Sequence, residues 1–296
     1  MKPILKKQLI IAVFCIVVLG TGLFVFFVLH KNGTPEIAPA APFKTESQNP
    51  ERKVLGLSVE GRGIESYKFG NGKTRLVFVG GIHGGYEWNT VILAYEFIDY
   101  LKTNPEFIPK ELTIIVIPSA NPDGVFKIIG KEGRFAITDV PVGSKEAGRL
   151  NINAVDLNRN FGCNWKATGV WQSKIVSGGT KPFSEPESAA IKKFVLENNP
   201  AAVIFWHSQS NTVYGSKCET DILQETLDIM SVYSNASGYR MLDSFDQYEV
   251  SGDATDWLAS IGIPAITVEL KTHGTIEWEQ NLAGIKALFE YYKNKN

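Results

Sequence analysis

The sequence lacks an excess of charge of either sign. It carries 30 Lys and Arg residues against 31 Asp and Glu residues, a net charge of −1, and these charges are interspersed without a basic tract. Proteins that bind nucleic acids need such a tract or a basic face, because they must neutralise phosphates. We therefore expect no nucleic-acid partner. With 44% hydrophobic and 11% aromatic residues, the 296-residue chain has the composition of a globular protein with a sizeable core.

Cysteine is also scarce, with three residues in the whole chain. Cys15 lies inside an apolar run, and the letters that end on it, AVFC, match a bacterial lipoprotein site poorly. Cys163 and Cys218 lie outside that run. Export of this part of the chain would permit a disulfide between them, because oxidising compartments preserve such bonds. Two separate buried thiols are the alternative.

The apolar run covers residues 9–29 and contains no charged side chain. As a helix it would extend roughly 30 Å, the thickness of the hydrocarbon core of a membrane. A cleaved signal peptide has a shorter apolar region with its cleavage site close behind, whereas the APA motif at 38–40 lies far downstream. We interpret 9–29 as an uncleaved transmembrane signal-anchor. Lysines before it favour a cytoplasmic stub at 1–8, so the rest of this single-pass protein would lie on the extracytoplasmic side of the cell membrane.

The remainder of the chain divides into a linker and one domain. Residues 30–53 are rich in Pro, Ala and polar residues and read as a flexible linker. Within the domain, residues 54–296, short β-branched runs alternate with helical patterns and no internal repeat is visible. The runs at 74–81, 112–118 and 264–270 are predicted strands. Alternation of this kind predicts an α/β domain with a largely parallel or mixed sheet.

One of the predicted helices has a recognisable start. Ser184 is followed three positions later by Glu187, with Pro186 between them, which predicts a capping box at the helix N-terminus.

Histidine is rare, and two of the four histidines follow predicted strands. His83 and His207 lie where sites gather in α/β folds, at the carboxyl ends of strands, and Glu87 follows His83 closely. A single histidine there is more often structural, but two with a glutamate match the ligands of a catalytic zinc ion. Glycines on both sides of His83 work against a helix, so we expect a loop that bends Glu87 back to the metal.

A zinc hydrolase also needs a general base and a cation for the charge that develops on the substrate oxygen. Glu269 ends a strongly apolar strand, where an ionised carboxylate is costly unless it has a function or a partner. Arg149 and Arg159 lie in one polar segment, and arginine suits carboxylate recognition. Taken singly, each arginine has a surface ion pair as its alternative role.

Together these segments resemble one family, the zinc metallocarboxypeptidases of the carboxypeptidase A type. The resemblance runs in order over about residues 54–293, and the order makes it specific although each string is short. Its motifs are GLSVEGRGI, GGIHGGYEW, NPDG (121–124), VDLNRNF (155–161), FWHS (205–208), the nine-residue interval from Tyr248 to Trp257, and VEL (268–270).

The resemblance implies a fold and a set of roles. The fold is an α/β domain with a central mixed, mostly parallel eight-stranded sheet between helices, here preceded by the N-terminal transmembrane helix. One Zn2+ ion per chain would be the cofactor. The implied roles are zinc ligands for His83, Glu87 and His207, general base for Glu269, polarisation of the scissile carbonyl for Arg149, binding of the substrate's terminal carboxylate for Asn158 and Arg159, and closure over the bound residue for Tyr248.

Two assignments depart from a simple match. The family has two residues between the first histidine and its glutamate, whereas this chain has three, an HxxxE variant. Glycines can absorb the resulting bulge, and the next acid, Glu96, is well inside the following helix, so Glu87 is the better ligand. Arg149 is far from the NRN motif, and Arg134 is its alternative.

The expected substrate is a peptide with a free C-terminal carboxylate. Asp253, Thr255 and Asp256 lie between Tyr248 and Trp257, where the pocket for the last side chain is expected. An acid there would favour a cationic group, such as that of Lys, Arg or diaminopimelic acid, unless the aspartates make structural hydrogen bonds. A membrane-anchored, outward-facing domain suggests cell-wall peptides.

We therefore predict a membrane-anchored zinc metallocarboxypeptidase. A zinc amidase or deacylase on the same scaffold is one alternative, and the carboxylate-binding set of Asn158, Arg159 and Tyr248 counts against it. A non-catalytic carboxylate-binding protein is the other, and Glu269, which binding alone would not need, counts against that.

Overall fold

The computed structural model describes residues 49–143, 145–219 and 221–295. The predicted stub, the signal-anchor and nearly all of the linker lie outside the described residues. Among the helices of the described ranges, none combines the length and the apolar character that crossing a membrane requires.

The centre of the domain is an eight-stranded sheet in the order β1-β2-β4-β3-β7-β10-β8-β9. Four of its seven strand pairings are parallel and three are antiparallel. This confirms the predicted α/β fold with a mixed, mostly parallel sheet. A separate hairpin is formed by β5 and β6. The strands are β1 (Glu51–Leu57), β2 (Gly63–Phe69), β3 (Thr74–Val79), β4 (Leu112–Ile117), β5 (Thr168–Trp171), β6 (Lys174–Ser177), β7 (Ala202–Ser208), β8 (Thr212–Tyr214), β9 (Arg240–Leu242) and β10 (Ala265–Leu270).

Strand β1 begins three residues before the predicted domain start at residue 54. Its first residues are polar and exposed because β1 is the edge strand and pairs on one side with β2. Arg52 forms an ion pair with Glu65 of the neighbouring strand. Polar edge residues give no hydrophobic period, which is why the sequence pattern places them in the linker.

Helices cover both faces of the sheet. They are α1 (Trp88–Thr103), α2 (Pro122–Ile129), α3 (Pro186–Asn198), α4 (Gln224–Ser237), α5 (Ala254–Ser260) and α6 (Trp278–Lys295). Side chains alternate between the faces along each strand, so neighbours on β7 enter different cores. Trp206 packs in the core that includes residues of α1, α4 and α6, whereas Phe205 packs in the core that includes residues of α3 and α5.

The predicted capping box at the start of α3 is wrong. The helix begins at Pro186 after an N-cap residue, Glu185, whose side chain does not cap it. Ser184 Oγ instead donates to the Glu185 carboxylate. The carboxylate of Glu187 accepts from the backbone N–H of Val59 and from Asn151 Nδ2. Tertiary partners thus take both side chains that the local pattern assigns to the helix end.

Candidate metal centre and active site

The loop after β3 carries the first two candidate metal ligands. Residues Gly84–Glu87 form one turn of 3-10 helix, so the expectation that the glycines exclude helical geometry here is wrong. Gly84 has a φ of +47°, and a Cβ on it would lie 2.5 Å from the backbone oxygen of Gly148. Only glycine tolerates both conditions. The turn brings Glu87 back over His83, whose Nδ1 lies 2.7 Å from the Glu87 Oε1.

His207 and Glu269 come from two adjacent parallel strands. In the register of β7 and β10 they are direct neighbours, at the carboxyl edge of the sheet. His207 Nδ1 lies 3.2 Å from the Glu87 Oε2. One ligand atom from each of His83, Glu87 and His207 lies within 4.8 Å of the others, and all three side chains are buried. The structure thus brings together the three residues that the sequence assigns to the metal.

The electrostatics of this group suit a divalent cation. Burial raises the pKa of Glu87, but the charges of His83 and His207 outweigh that effect and lower it. Burial lowers the pKa of His207, and the charge of Glu87 raises it overall. The Oε2 of Glu269 is buried without a hydrogen-bond partner among the described residues. Two imidazoles and one carboxylate are the donor set of open catalytic zinc sites, so the residues fit zinc.

Arg149 lies next to this group and is held by a buried acid. Its Nη2 and Nε donate to the Asp156 Oδ2 at 2.9 and 3.1 Å, and its Nη1 is 3.8 Å from the Glu87 Oε1. Asp156 Oδ1 lies 3.4 Å from the Nε2 of His83. Burial raises the pKa of Asp156, but Arg149 and His83 hold it well below its usual range. Asp156 thus contacts both a candidate metal ligand and the arginine. The VDLNRNF motif contains Asp156, but its letters do not show these two partners, so the sequence did not predict this role.

The alternative arginine, Arg134, lies elsewhere. It is paired with Asp99 at 2.6 Å, about 43% of its side chain is exposed, and it lies over the ring of Tyr95. The geometry therefore favours Arg149.

Asn158 and Arg159 lie side by side in a 3-10 turn, Leu157–Arg159. The Arg159 guanidinium donates to the backbone oxygens of Asn158 and Val170, and it is buried. Within the described ranges it forms no ion pair. A buried guanidinium without a carboxylate partner suits an anionic group of a ligand. Tyr248 lines the same cavity and packs against Phe245, with ring centroids 4.6 Å apart.

Asp253 and Thr255, which were predicted to line the specificity pocket, are hydrogen-bonded to each other. Asp253 is the N-cap of α5: its Oδ1 accepts from the N–H groups of Thr255 and Asp256 and from the Thr255 hydroxyl. Its Oδ2 accepts from Asn158 Nδ2 at 2.7 Å. Both oxygens of Asp253 are therefore used by the chain itself, which favours the structural alternative for this residue.

Asp256 is another acid on the cavity wall. Its Oδ1 accepts from the N–H of Lys217, and burial together with the nearby Asp253 raises its pKa from the usual 3.8 to about 7. The folded protein therefore holds this proton more tightly than the unfolded chain does. The protonated carboxyl group of Asp256 therefore stabilises the folded state at low pH, and this stabilisation is lost as the pH rises from about 4 to about 7.

Asp256→Asn should consequently stabilise the protein at pH 8 and change little at pH 4. Asparagine cannot ionise, yet its oxygen can still accept from Lys217. We expect the free energy of unfolding at pH 8 to rise by on the order of 1 to 3 kcal/mol. Urea denaturation at both pH values measures this. Equal destabilisation at both values would show that the carboxylate is needed for structure instead.

One cavity of about 930 Å³ is lined by the candidate metal ligands together with Glu269, Arg149, Asn158, Arg159 and Tyr248. Three ring-bearing residues without an assigned role, Tyr86, Trp171 and His273, also line it. Tyr86, the residue before Glu87, packs edge-on against Trp171 and against His273, with centroids 5.1 and 4.6 Å apart. Trp171 also lies 4.5 Å from the guanidinium carbon of Arg149. The altered length of the metal loop was the only signal in the sequence that could have pointed to Tyr86.

A disulfide joins two segments that border the cavity. Cys163 and Cys218 are bonded, with their Cα atoms 6.0 Å apart, and they are 55 positions apart in the sequence. Neighbours of both, Asn164 and Lys217, line the cavity. The bond thus braces two parts of the wall.

Removal of this disulfide should destabilise the domain. A loop of this length gives a loss of about 2–4 kcal/mol in the free energy of unfolding, mainly through the larger entropy of the unfolded chain. Denaturation of Cys163→Ser/Cys218→Ser beside the wild type measures it. A reductant should lower the midpoint of the wild type and leave that of the double variant unchanged. A reductant effect of the same size on both proteins would contradict the prediction.

Comparison with known proteins identifies the family. The family described as "Zinc carboxypeptidase" matches residues 44–285. The chain belongs to the zinc carboxypeptidase family. Its members are zinc-dependent peptide hydrolases, and the grouped side chains of His83, Glu87 and His207 fit the zinc ion that this family uses.

Similar proteins include an endopeptidase and a carboxypeptidase by name. This chain is 28% identical over 240 residues to gamma-D-glutamyl-L-diamino acid endopeptidase 1 of Lysinibacillus sphaericus. The matched region covers 73% of this chain and 59% of the relative. The chain is also 28% identical over 250 residues to carboxypeptidase O of Bos taurus, with 75% and 64% covered. The chain thus spans less than two thirds of either relative.

A solved structure shows the same fold. Murein-tripeptide amidase MpaA of Escherichia coli O157 superposes with a TM-score of 0.59 at 21% identity, over 84% of this chain and 96% of that chain.

Proposed function

We propose that this protein is a membrane-anchored zinc metallocarboxypeptidase that removes the C-terminal residue of peptides. One observation carries the proposal. The candidate metal ligands, the buried carboxylate of Glu269 and the pair Asn158–Arg159 lie in a single cavity. An unpaired guanidinium beside a hydrolytic centre suits a substrate with a free terminal carboxylate.

The proposed reaction assigns one task to each group of this chain. Zinc held by His83, Glu87 and His207 would polarise the scissile carbonyl and the attacking water. Arg159 and Asn158 bind the terminal carboxylate and fix the register of the peptide. Glu269 accepts the proton of the water and transfers it to the leaving amine.

Arg149 and Tyr248 complete the proposed site. Arg149, aligned by Asp156, donates to the carbonyl oxygen as negative charge develops on it. The ring of Tyr248 excludes water from the bound residue.

The test is hydrolysis of defined peptides by the full-length protein in detergent. N-blocked peptides with varied C-terminal residues, and the same peptides with amidated ends, are incubated with and without a chelator, and products are read by mass spectrometry. We expect loss of single terminal residues from the free acids only, abolished by the chelator. Equal cleavage of amidated peptides would favour the amidase or deacylase alternative. Zinc-free protein that cleaves nothing would favour the binding protein.

We further propose that the substrates are cell-wall peptides ending in a diamino acid. Two observations support this: a relative is named for cleavage at an L-diamino acid, and Asp256 lies on the cavity wall. A carboxylate there would attract the second amine of such a residue. Peptides that end in diaminopimelic acid or Lys should therefore be cleaved faster than the same peptides ending in Leu. No preference would contradict the proposal.

Residues 9–29 are proposed to hold the protein in the cell membrane, with the catalytic domain on the extracytoplasmic side. The uncharged run and the disulfide support this arrangement, because disulfides persist in oxidising compartments. Fractionation of cells should find the full-length protein in the membrane pellet after a high-salt wash, and protease added to spheroplasts should digest it. Recovery in the soluble fraction would overturn the proposal.

A further inference from the structure

His273 is a cavity residue to which neither the sequence motifs nor the metal site assigns a role. It lies in the loop after β10, and its Nδ1 is 2.7 Å from the hydroxyl oxygen of Ser208. Which of the two groups donates this hydrogen bond decides the protonation of the other ring nitrogen.

The side chain of Asn89 fixes the donor. Its Nδ2 lies 2.7 Å from the backbone oxygen of Thr272 and 2.9 Å from that of Thr275. Carbonyl oxygens only accept, so the amide nitrogen must face them and the Asn89 Oδ1 must face Ser208, 3.0 Å away. An amide oxygen cannot donate, hence the hydroxyl of Ser208 donates to it. Asn89 is completely buried and Ser208 is 5% exposed, so water does not compete for these bonds.

The tautomer of His273 follows from this arrangement. Ser208 has one hydroxyl hydrogen and gives it to Asn89, so the bond between Ser208 and His273 must be donated by the Nδ1–H of the imidazole. Burial lowers the pKa of His273, which keeps the ring neutral. A neutral imidazole carries one N–H, so the Nε2 is unprotonated and can only accept. This nitrogen makes no hydrogen bond within the described ranges.

His273 and the carboxylate-binding pair approach the metal ligands from opposite faces of the sheet. Ser208 follows Trp206 on the face covered by α1 and α6, and Asn89 belongs to α1. His207 shares the other face with Phe205, where α5 and the turn that carries Asn158 pack. A peptide that runs from Asn158 across His207 therefore reaches the His273 side with its acyl portion.

We propose that the Nε2 of His273 accepts a hydrogen bond from the backbone N–H of the substrate residue on the acyl side of the scissile bond. This inference rests on the proposed carboxypeptidase function. The first donor on the acyl side of the scissile carbonyl is that N–H, and an unprotonated nitrogen matches a donor and rejects a carbonyl oxygen. Ser208 and Asn89 act as positioning residues that hold the ring in this tautomer.

The test compares two substrates that differ in one backbone group. One is an N-acetylated dipeptide, and the other is its analogue in which the acyl-side N–H is replaced by an ester oxygen. For the wild type we expect kcat/KM to be about tenfold higher with the N–H substrate, the value of one hydrogen bond. His273→Phe should reduce this ratio to about one, and His273→Gln should restore part of it, because its side-chain oxygen also accepts. Zinc content and the preference for the terminal residue should remain as in the wild type.

A ratio that His273→Phe leaves unchanged would overturn the inference. Absence of any peptide cleavage would contradict the proposed function and would leave the role of His273 to a second measurement. That measurement tests the tautomer of His273 and its contact with the peptide directly. Nitrogen NMR of the full-length protein, with His273 assigned by difference from His273→Phe, should show a protonated Nδ1 and an unprotonated Nε2. Addition of the N–H peptide should shift the Nε2 signal, and addition of the ester analogue should not. The opposite tautomer, or equal shifts with both compounds, would refute the proposal.

Discussion

Replacement of Glu269 by glutamine is expected to reduce kcat/KM for peptide hydrolysis by about 10²–10⁴-fold. Glutamine has nearly the same shape but cannot accept a proton from the attacking water. Glu269 is not one of the three grouped metal ligands, so the zinc content of the variant should equal that of the wild type. Steady-state kinetics on an N-blocked peptide, with zinc measured by mass spectrometry on the same samples, gives both values.

The pH profile adds a second readout for the same variant. Burial raises the pKa of Glu269 to about 7, and a bound cation would lower it. The protonated form cannot act as the base, so wild-type activity should fall as the pH drops through this pKa. The residual activity of Glu269→Gln should lack that acidic limb.

A suitable control is Glu197→Gln, which makes the same chemical change on the exposed surface of α3. It should leave both the rate and the profile unaltered. If Glu269→Gln retained wild-type kcat/KM, Glu269 would not be the base.

The fold could be predicted from the sequence wherever the packing repeats a simple pattern. Strands β3, β4 and β10 are largely buried, and the runs of β-branched residues in the sequence predicted them. The sequence pattern predicts the first residues of strand β1 as linker, because an edge strand has no buried face to impose alternation. The capping box failed for a related reason. Glu187 is completely buried and bonded to Val59, a tertiary contact that no local pattern encodes.

The candidate site was predictable where one residue type has few alternatives. With four histidines in the chain, two of them at strand ends, His83 and His207 were the natural ligands, and the parallel register of β7 and β10 places Glu269 beside His207. Partners between segments could not be predicted. The bond of Asp253 to Asn158 joins residues 95 positions apart, and only the folded chain shows that this aspartate is already engaged.

The altered metal loop was predictable in part: its extra residue is visible in the sequence, but the conformation that accommodates this residue depends on contacts with distant segments. The inserted residue is visible in the sequence, and the glycines around it predicted a bulge. The chain instead forms a 3-10 turn that keeps Glu87 against His83. This turn fits because Gly84 and Gly85 lie against the backbone of residues 124 and 148, where a side chain would collide. The extra residue is accommodated without loss of the ligand, and it places the ring of Tyr86 on the cavity wall.

Glu87→Ala should therefore abolish zinc binding. The variant keeps two imidazoles but loses the only carboxylate of the grouped ligands, and no other acid completes the group within the described ranges. Changes of residues that merely support a ligand cost 10–100-fold in metal affinity, so loss of the ligand itself should cost more. Equilibrium dialysis should find about one zinc per chain in the wild type and close to none in the variant, and kcat/KM should fall at least about 10³-fold.

Thermal unfolding separates a lost ligand from a misfolded loop. The three candidate ligands come together only in the folded chain. Excess zinc should therefore raise the midpoint of the wild-type transition by mass action and leave that of Glu87→Ala unchanged. Without metal, the variant should still unfold cooperatively, since the 3-10 turn depends on the glycine contacts and not on the carboxylate. Glu96→Ala, at an exposed position of α1, is the matched control and should bind zinc normally. If Glu96→Ala lost zinc while Glu87→Ala kept it, the inserted residue would have transferred the ligand role along the helix.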